Sequence, residues 1–177
     1  MPDDERLIAQ LKRGDKEALR QIYMEYKDSL LTIAASLLHD TCAAEDVLHD
    51  VFVSFAGGIG ALQLRGSLRN YLIASVVNRV RDKYRKRKRH RVGLDEAGQI
   101  TSDSDDPERS ATFSEESGLL TDALGRLPLE QRETIILHLK GGMKFKEIAR
   151  MQCIPISTVQ GRYRYGLGKL RTILKER

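Results

Sequence analysis

Residues 145–173 read FKEIARMQCIPISTVQGRYRYGLGKLRTI, and they combine a short helical pattern, a break at a proline and a longer helical pattern. Apolar spacing predicts the first helix over residues 145–151. Pro155 turns the chain, because it lacks an amide hydrogen and disfavours helical geometry in the residue before it. Ser157 or Thr158 is then the expected N-cap of a last helix. Short helix, turn and longer basic helix in this order predict a helix-turn-helix.

The last helix of this segment has two different sides. Its apolar or small side contains Val159, Tyr163, Gly166, Leu170 and Ile173. The opposite side mixes an amide, arginines and small residues, which can approach base edges and phosphates closely, whereas a solvated helix more usually carries Glu and Lys. A glycine weakens a helix by about 1 kcal/mol relative to alanine, so Gly161 and Gly166 suggest close packing or close approach to DNA.

The first half of the chain is also predicted to be helical. In residues 18–38 apolar side chains recur every three or four positions and form one stripe, and residues 44–55 repeat this pattern. Glycines within residues 56–60 predict a loop, because they make a continuous helix unfavourable. A further helix begins near Ser67, an expected N-cap, and continues into the basic run at residues 81–91.

This basic run indicates a polyanionic partner. Eight of the eleven residues in 81–91 are Lys or Arg, and a helix does not bury such a run without partners. A solvated helix end, stabilised by the helix dipole, is the simpler explanation, but the dipole acts over about one turn and the cations repel one another. The run therefore favours nucleic acid.

The distribution of charge divides the chain into three parts. Basic and acidic residues number 17 and 12 in residues 1–91, 1 and 8 in residues 92–118, and 12 and 5 in residues 119–177. The middle part is rich in Gly, Ser, Asp and Pro and has no apolar period, which is typical of a flexible linker. We therefore predict two basic modules that contact a polyanion, joined by an acidic linker.

Composition excludes several classes of protein. Apolar runs end long before the roughly 18 residues of a membrane span, and the acidic start is unlike a signal peptide, so we expect no membrane insertion and a cytoplasmic protein. Cys42 and Cys153 are too few for a disulfide framework or a four-ligand zinc site and are expected in the core. Walker, HExxH and GxSxG motifs are missing and the four histidines lack metal spacing, so we expect no enzyme, metal or other cofactor.

The ordered combination of segments resembles a known family. The segments are GDKEALRQIYMEY at 14–26, AEDVLHDVFVSF at 44–55, SLRNYLIASVVNRVRDKYRKRKR at 67–89 and ALGRLPLEQRETIILHLKGGMKFKEIARMQCIPISTVQGRYRYGLGKLR at 123–171. Together they resemble an extracytoplasmic-function (ECF) sigma factor, a minimal sigma-70 protein with regions 2 and 4 only. The resemblance implies an all-α fold of two small helical domains, region 2 in 1–91 and region 4 in 119–177, joined by the linker at 92–118.

The resemblance also implies a function and its partners. Such a protein binds core RNA polymerase through the β′ clamp helices and the β flap, and directs initiation by recognising the minus-35 and minus-10 elements of promoter DNA. The helix matching AEDVLHDVF docks on the clamp helices, which implies core-binding roles for Asp46, His49 and Asp50. These three residues lie together opposite the apolar stripe. The family usually has Gln at the position of His49. Members are commonly restrained by an anti-sigma protein, which we also expect here.

DNA-binding positions follow from the same resemblance. The minus-10 residues are Asn78, at the pocket for an unpaired base, and the phosphate contacts Arg79, Lys83, Arg85 and Lys86. The minus-35 residues are Ser157, Thr158, Gln160, Gly161, Arg162, Arg164 and Lys169.

Other parts of the chain also depart from the family's usual residues. Tyr71 stands where the family often has Trp and is expected in the core, and residues 56–66 replace the base-capturing loop with an unusual glycine-rich segment. The family's usual turn glycine is Cys153, which should keep φ below zero unless the turn adjusts.

Energetics favour a subunit over a protein that acts alone. Separating some ten base pairs costs about 14 kcal/mol at about 1.4 kcal/mol per step, and each captured base returns about 1–3 kcal/mol. Two captured bases do not suffice, so a larger machine must hold the strands apart. A stand-alone helix-turn-helix regulator that binds duplex operators as a dimer remains an alternative, as does an RNA-binding adaptor that uses residues 81–91.

Overall fold

The computed structural model describes residues 2–64, 66–95 and 115–176. Within these ranges the chain is all α-helical, as predicted. The helices are α1 Pro2–Lys12, α2 Lys16–Leu38, α3 Thr41–Gly58, α4 Leu68–Asp95, α5 Glu115–Gly125, α6 Leu129–Leu139, α7 Phe145–Gln152 and α8 Ile156–Lys175. Helices α1–α4 form the first module and α5–α8 form the second. Residues 96–114, most of the predicted linker, lie outside the described residues, and the exact module boundaries stay predictions.

The first module packs around α2, whose apolar stripe is buried as predicted except at Tyr23, which was predicted in the core and is 38% exposed. Asp15 caps α2 by accepting a hydrogen bond from the amide of Glu17 at 2.9 Å. His39, with φ 55°, ends α2 in a left-handed conformation. Asp40 then caps α3 by accepting a hydrogen bond from the amide of Ala43 at 2.9 Å. His39 and Asp40 together satisfy free backbone groups at the short junction between α2 and α3.

Helix α1 was not predicted from the sequence. It is joined to the module at both of its ends. The buried carboxylate of Asp4 accepts a hydrogen bond from Tyr26 Oη at 2.8 Å. At the other end, Lys12 Nζ donates to the carbonyl of Leu62 at 2.8 Å. A single contact between an Asp and a Tyr 22 positions apart leaves no periodic pattern in the sequence, so sequence patterns alone do not predict it.

Two local predictions are wrong. Helix α3 continues through the predicted loop to Gly58, followed by a 3₁₀ turn at Ile59–Ala61, because Phe55 and Ile59 still pack on the core. Helix α8 begins at Ile156 with Pro155 as N-cap, so Ser157 and Thr158 lie in its first turn. The proline supplies the required φ of −59° and has no amide to leave unsatisfied.

Both cysteines were predicted to be buried, and both are exposed. Cys42 lies in the first turn of α3, and Cys153 lies in the turn between α7 and α8. Cys153 has φ 54°, a left-handed conformation that L residues adopt at a cost, so of the two alternatives for this position the negative φ is not the one adopted. Cysteine is on average one of the most buried residue types, but here both cysteines lie at helix ends that face water.

The second module has its own small core and also packs on the first. Its core consists of Ala123, Leu124, Leu127, Ile135 and Leu170. Gly166 is buried in α8, and a Cβ atom there would lie 2.8 Å from Ile135 Cδ1 and 3.2 Å from Gln131 Cβ. Gly166 therefore permits the close approach of α8 to α6, which was one of the two explanations predicted for it.

The main core of the protein extends across both modules. One continuous cluster of buried side chains joins α1–α4 with residues of the second module, namely Ile136, Leu137, Met143, Ile148, Ala149 and Val159. Arg132 is 6% exposed and lies at this boundary. Its Nη1 atom donates to the carbonyl of Leu37 at 2.8 Å and to Tyr84 Oη at 2.9 Å. A cation on α6 thereby satisfies a free carbonyl at the C-terminal end of α2.

Candidate nucleic-acid interface

The predicted docking residues share an exposed face of α3. Asp46, His49 and Asp50 are all exposed, on the side opposite the buried Val47 and Val51. Spacings of three and four residues place their side chains on adjacent turns of one helix. The structure therefore brings the three predicted residues together on a surface that a partner protein can reach.

An apolar groove continues this face towards α2. Val53 is 57% exposed one turn after His49, and Tyr23 is 38% exposed across the groove. The Tyr23 ring packs edge-on against Phe52, with centroids 4.9 Å apart. Val53 and Tyr23 are absent from the predicted docking set, although their exposure next to acidic residues is typical of a protein contact surface.

The predicted minus-10 residues lie on the outer side of α4. Asn78, Arg85 and Lys86 are exposed, whereas Arg79 and Lys83 are half-buried. Arg79 Nη2 donates to Ser54 Oγ at 2.6 Å, and Lys83 Nζ lies 3.2 Å from Asp46 Oδ2. Two of the five residues are thus held against α3, while the other three face solvent.

The basic end of α4 contains an internal acid. Arg85 Nη2 donates to Asp82 Oδ1, three residues earlier on the helix. This hydrogen bond holds the pKa of Asp82 below its usual range, so the carboxylate stays charged near neutral pH. Asp82 therefore offsets part of the positive charge that the predicted phosphate contacts provide.

Tyr71, expected in the core, lies at its edge. Its side chain is 37% exposed, and its ring is tilted against Phe55 with centroids 6.1 Å apart. The ring is therefore only partly buried. The preceding segment, predicted to occupy the place of a base-capturing loop, anchors its apolar residues Leu62 and Leu64 on the core. Tyr71 thus presents an aromatic surface beside this segment.

The predicted minus-35 residues fall into two groups on α8. Ser157, Thr158, Gln160, Arg164 and Lys169 are exposed. Gly161 is open, since a Cβ atom there would meet no atom within 4 Å. Arg162, by contrast, is half-buried, and its Nη1 atom donates to Gln152 Oε1 at 3.1 Å. The first group forms the outward face of the helix, whereas Arg162 is turned towards α7.

Sequence reasoning missed the buried polar residues of α6. Glu133 is 2% exposed, and it accepts hydrogen bonds from Arg81 and Gln152. Burial raises the pKa of Glu133 above its usual range, against the opposing effect of Arg81. The sequence did contain one indication that these residues are buried. Arg132 and Glu133 stand four and three residues before the apolar Ile136 and therefore lie on the same side of the helix.

Within the described ranges, no cluster of His, Cys, Asp or Glu could hold a metal ion. None of the helices in those same ranges is long and apolar enough to cross a membrane. The exposed groups of α3, α4 and α8 are carboxylates, amides, hydroxyls and cations in open positions. Such surfaces bind macromolecules by charge and hydrogen bonds.

Comparison with known proteins identifies both modules. Residues 22–90 match the family description Sigma-70 region 2, and residues 117–170 match Sigma-70, region 4. Together these matches cover more than half of the chain. The chain is 26% identical to the ECF RNA polymerase sigma factor SigW of Bacillus subtilis, over 96% of this chain and 95% of SigW. It is 23% identical to the RNA polymerase sigma-H factor of Pseudomonas aeruginosa, over 90% and 87% of the two chains.

A solved structure shows the same fold. The sigma factor RpoE of Bartonella quintana, crystallised with the anti-sigma factor NepR, superposes with a TM-score of 0.71 at 24% identity, covering 88% of this chain and 96% of RpoE. The two family matches, at residues 22–90 and 117–170, include α3, most of α4, α7 and most of α8. The chain therefore belongs to the sigma-70 family, as an ECF-type factor that binds RNA polymerase and directs promoter-specific initiation of transcription.

Proposed function

We propose that the exposed face of α3 docks on the β′ clamp helices of core RNA polymerase through Asp46, His49 and Asp50. The observation that carries this proposal is the shared exposure of these three side chains beside an apolar groove. Val53 and Tyr23 add apolar contact area at its edge. Charged groups set the orientation of the complex, and the apolar neighbours supply most of the burial.

Promoter recognition is divided between α4 and α8 in this proposal. Asn78 and the cations Arg79, Lys83, Arg85 and Lys86 engage the minus-10 element, and the outward face of α8 enters the major groove of the minus-35 element. Gln160 pairs best with adenine and Arg164 with guanine, each contact contributing about 1–3 kcal/mol of discrimination. Open space at Gly161 supports close approach of the backbone to DNA.

The partners and the place of action follow from this role. We propose that the second module also contacts the β flap, and that an anti-sigma protein restrains the chain, as NepR accompanies RpoE in the related structure. The protein works in the cytoplasm, where polymerase and chromosome meet. It contributes binding energy and specificity, while the chemistry of RNA synthesis belongs to the polymerase, so no catalytic residue or cofactor is assigned to it.

Run-off transcription with purified core enzyme tests the proposal. Templates from a promoter library should yield sequence-specific transcripts only when both the core and this protein are present. The protein alone should bind duplex weakly, in a salt-sensitive manner. A stand-alone regulator would instead bind two half-sites about one turn apart without polymerase. An RNA-binding adaptor would prefer RNA and would tolerate deletion of residues 158–177.

A further inference from the structure

Three helices of the second module are joined by a chain of polar side chains. Glu133 in α6 accepts a hydrogen bond from Gln152 Nε2 in α7 at 2.6 Å. The Oε1 atom of the same amide accepts a hydrogen bond from Arg162 Nη1 in α8 at 3.1 Å. We call Glu133, Gln152 and Arg162 the recognition brace. The brace connects α6, α7 and α8 through side chains alone.

The chemistry of the brace gives the Gln152 amide a single orientation. A carboxylate only accepts hydrogen bonds and a guanidinium only donates them, whereas an amide has one end of each kind. Exchanging the two ends of the amide would place its oxygen against Glu133 and its NH₂ group against Arg162, so both contacts would be lost. Gln152 therefore joins the two charged groups in one geometry, and neither helix can rotate without breaking a hydrogen bond.

Burial makes the brace costly to break. Glu133 is 2% exposed, and Gln152 and Arg162 are half-buried. A buried carboxylate depends on each of its donors, because water has little access to replace one that leaves. Arg81 of α4 donates two further hydrogen bonds to Glu133, and these do not replace the one from Gln152. The contact between Glu133 and Gln152 is therefore part of the packed interior and not an exchangeable surface contact.

The brace bridges the turn between α7 and α8. Gln152 is the last residue of α7, and Arg162 lies in the second turn of α8, which begins at Ile156. Ile148 and Val159 are buried side chains of these two helices. Apolar burial has no preferred direction, whereas a hydrogen bond depends on its angle. The brace therefore adds what apolar packing lacks, which is a fixed rotation of α8 about its own axis.

The rotation of α8 matters because two predicted base contacts flank Arg162. Gln160 and Arg164 are exposed, two residues before and two residues after it. A helix with its side chains has a radius of about 5–6 Å, so a rotation of about 20° moves a side-chain end by about 2 Å. Paired hydrogen bonds to a base edge do not tolerate a displacement of that size. The rotation of α8 therefore decides whether Gln160 and Arg164 reach their bases.

We propose that Gln152 and Arg162 are positioning residues, which set the rotation of α8, and that Arg162 is not a phosphate contact. The inference rests on the proposed function of α8. Arg162 is turned towards α7 and bonded to Gln152, whereas the predicted minus-35 cation Lys169 is exposed. The brace contributes to base discrimination through Gln160 and Arg164, without contacting DNA itself.

The variant Gln152→Met tests the proposal without changing any charge. Methionine is similar in length to glutamine but has no amide, so the variant breaks both hydrogen bonds of the brace. The full-length variant is assembled with core polymerase and bound to a duplex that ends upstream of the minus-10 element. This duplex carries the minus-35 sequence that the wild type selects from a library, and single-base-pair variants of it are the competitors. The preference for the selected sequence should fall about fivefold or more, because each base contact contributes discrimination of this order.

Salt dependence separates positioning from phosphate binding. Loss of one phosphate contact reduces the slope of log affinity against log salt concentration by about 1 and weakens binding to all sequences alike. Lys169→Gln, which removes an exposed cation from the same helix, is the matched control and should behave in this way. Arg162→Gln should instead keep the slope and lose base discrimination, as Gln152→Met does. A reduced slope with unchanged discrimination in Arg162→Gln would overturn the proposal.

A measurement without DNA distinguishes this proposal from the proposed function. NMR follows the exchange of the Gln152 side-chain amide hydrogens with water in the full-length protein. Exchange should be slow in the wild type and about fivefold faster in Arg162→Gln, because the loss of one contact favours local opening. Equal exchange rates in the two proteins would show that Arg162 does not hold Gln152 and would contradict the proposal.

The fold of each variant is checked by circular dichroism. Arg162→Gln leaves the donors Arg81 and Gln152 on Glu133, so it should remain folded even if Gln152→Met destabilises the module. A wild-type holoenzyme without any minus-35 preference would count against the proposed function, while the exchange measurement would still decide whether the brace forms.

Discussion

Lys83 Nζ lies 3.2 Å from Asp46 Oδ2, so a predicted DNA contact on α4 is paired with a predicted polymerase contact on α3. The two side chains are 31% and 72% exposed, respectively. An exposed ion pair of this kind contributes about 0–1 kcal/mol to stability. The pair therefore joins two proposed surfaces without holding the fold together.

Neutralising the docking face should weaken polymerase binding while the fold stays intact. We expect Asp46→Asn with Asp50→Asn to reduce affinity for core enzyme at least tenfold, because both carboxylates are exposed and make little contribution to stability. Equilibrium binding to labelled core and thermal unfolding check this expectation.

The matched control for the docking face is Glu17→Gln with Glu25→Gln, which removes two exposed carboxylates from α2. It should bind core like the wild type. Equal affinity of both double variants for core would show that polymerase docks elsewhere.

The two glycines of α8 should respond in opposite directions to alanine. Gly161→Ala should stabilise the protein by about 1 kcal/mol, because alanine favours the helix and meets no neighbour. Gly166→Ala should be destabilising, since the new methyl group presses on Ile135 and Gln131, and overpacking costs about 1–3 kcal/mol.

Chemical denaturation of both glycine variants measures this difference. Binding to a minus-35 duplex separates the roles further, because only Gly161→Ala changes the proposed DNA-facing surface. A Gly166→Ala protein as stable as Gly161→Ala would mean that α6 and α8 are packed less tightly than described.

Cys153→Gly should stabilise the turn of the helix-turn-helix. Cys153 has a left-handed conformation with φ 54°, in which a side chain costs about 1–2 kcal/mol and glycine costs little. Part of the gain is offset by the greater freedom of glycine in the unfolded chain, so we expect a net gain of about 1 kcal/mol in unfolding free energy. Urea denaturation provides the value. Cys153→Ala retains the Cβ atom and should show no gain.

Glu147 should make stability sensitive to acid. Its carboxylate accepts a hydrogen bond from the amide of Lys144 at 2.7 Å, which lowers the pKa of Glu147 below its ordinary value of 4.5. A group with a lowered pKa stabilises the fold above its ordinary pKa, and this contribution is lost as the pH falls through the folded value. Glu147→Gln should therefore be about 1 kcal/mol less stable at neutral pH.

The difference between Glu147→Gln and the wild type should shrink as the pH falls below the ordinary pKa of 4.5 and through the lower pKa of the folded state. Unfolding free energies measured along this pH series test the sign. Glu130→Gln controls for general charge effects, since Glu130 is exposed and lies at the start of α6. A constant difference at all pH values would refute the role of the ionised carboxylate.

Periodic features of the sequence were predicted correctly. The apolar stripe of α2 and the buried side of α8 follow from spacing, because each helix must bury one continuous face. Pro155 correctly indicated the turn before α8, because a proline has no amide hydrogen and cannot continue a helix from the preceding residues. The exposed face with Asp46 and Asp50 also follows from spacing once Val47 and Val51 are assigned to the core.

Local rules failed where tertiary contacts outweighed them. Glycines at 57 and 58 indicated a loop, yet packing of Phe55 and Ile59 keeps that segment helical. The left-handed turn at Cys153 is tolerated because the surrounding helices fix the path of the chain. In both cases packing between distant parts of the chain outweighs a local conformational preference of about 1 kcal/mol per residue.

The sequence by itself determined the two helical modules, their basic surfaces and the exposed faces of α3 and α8, because periodicity and local charge are properties of neighbouring residues. Only the tertiary structure decided that the modules pack together and that Arg81 and Glu133 meet. These two residues are 52 positions apart, and neither has a local partner that would indicate the other. Pairing across such a distance is selected by the burial of one shared core, which no short segment encodes.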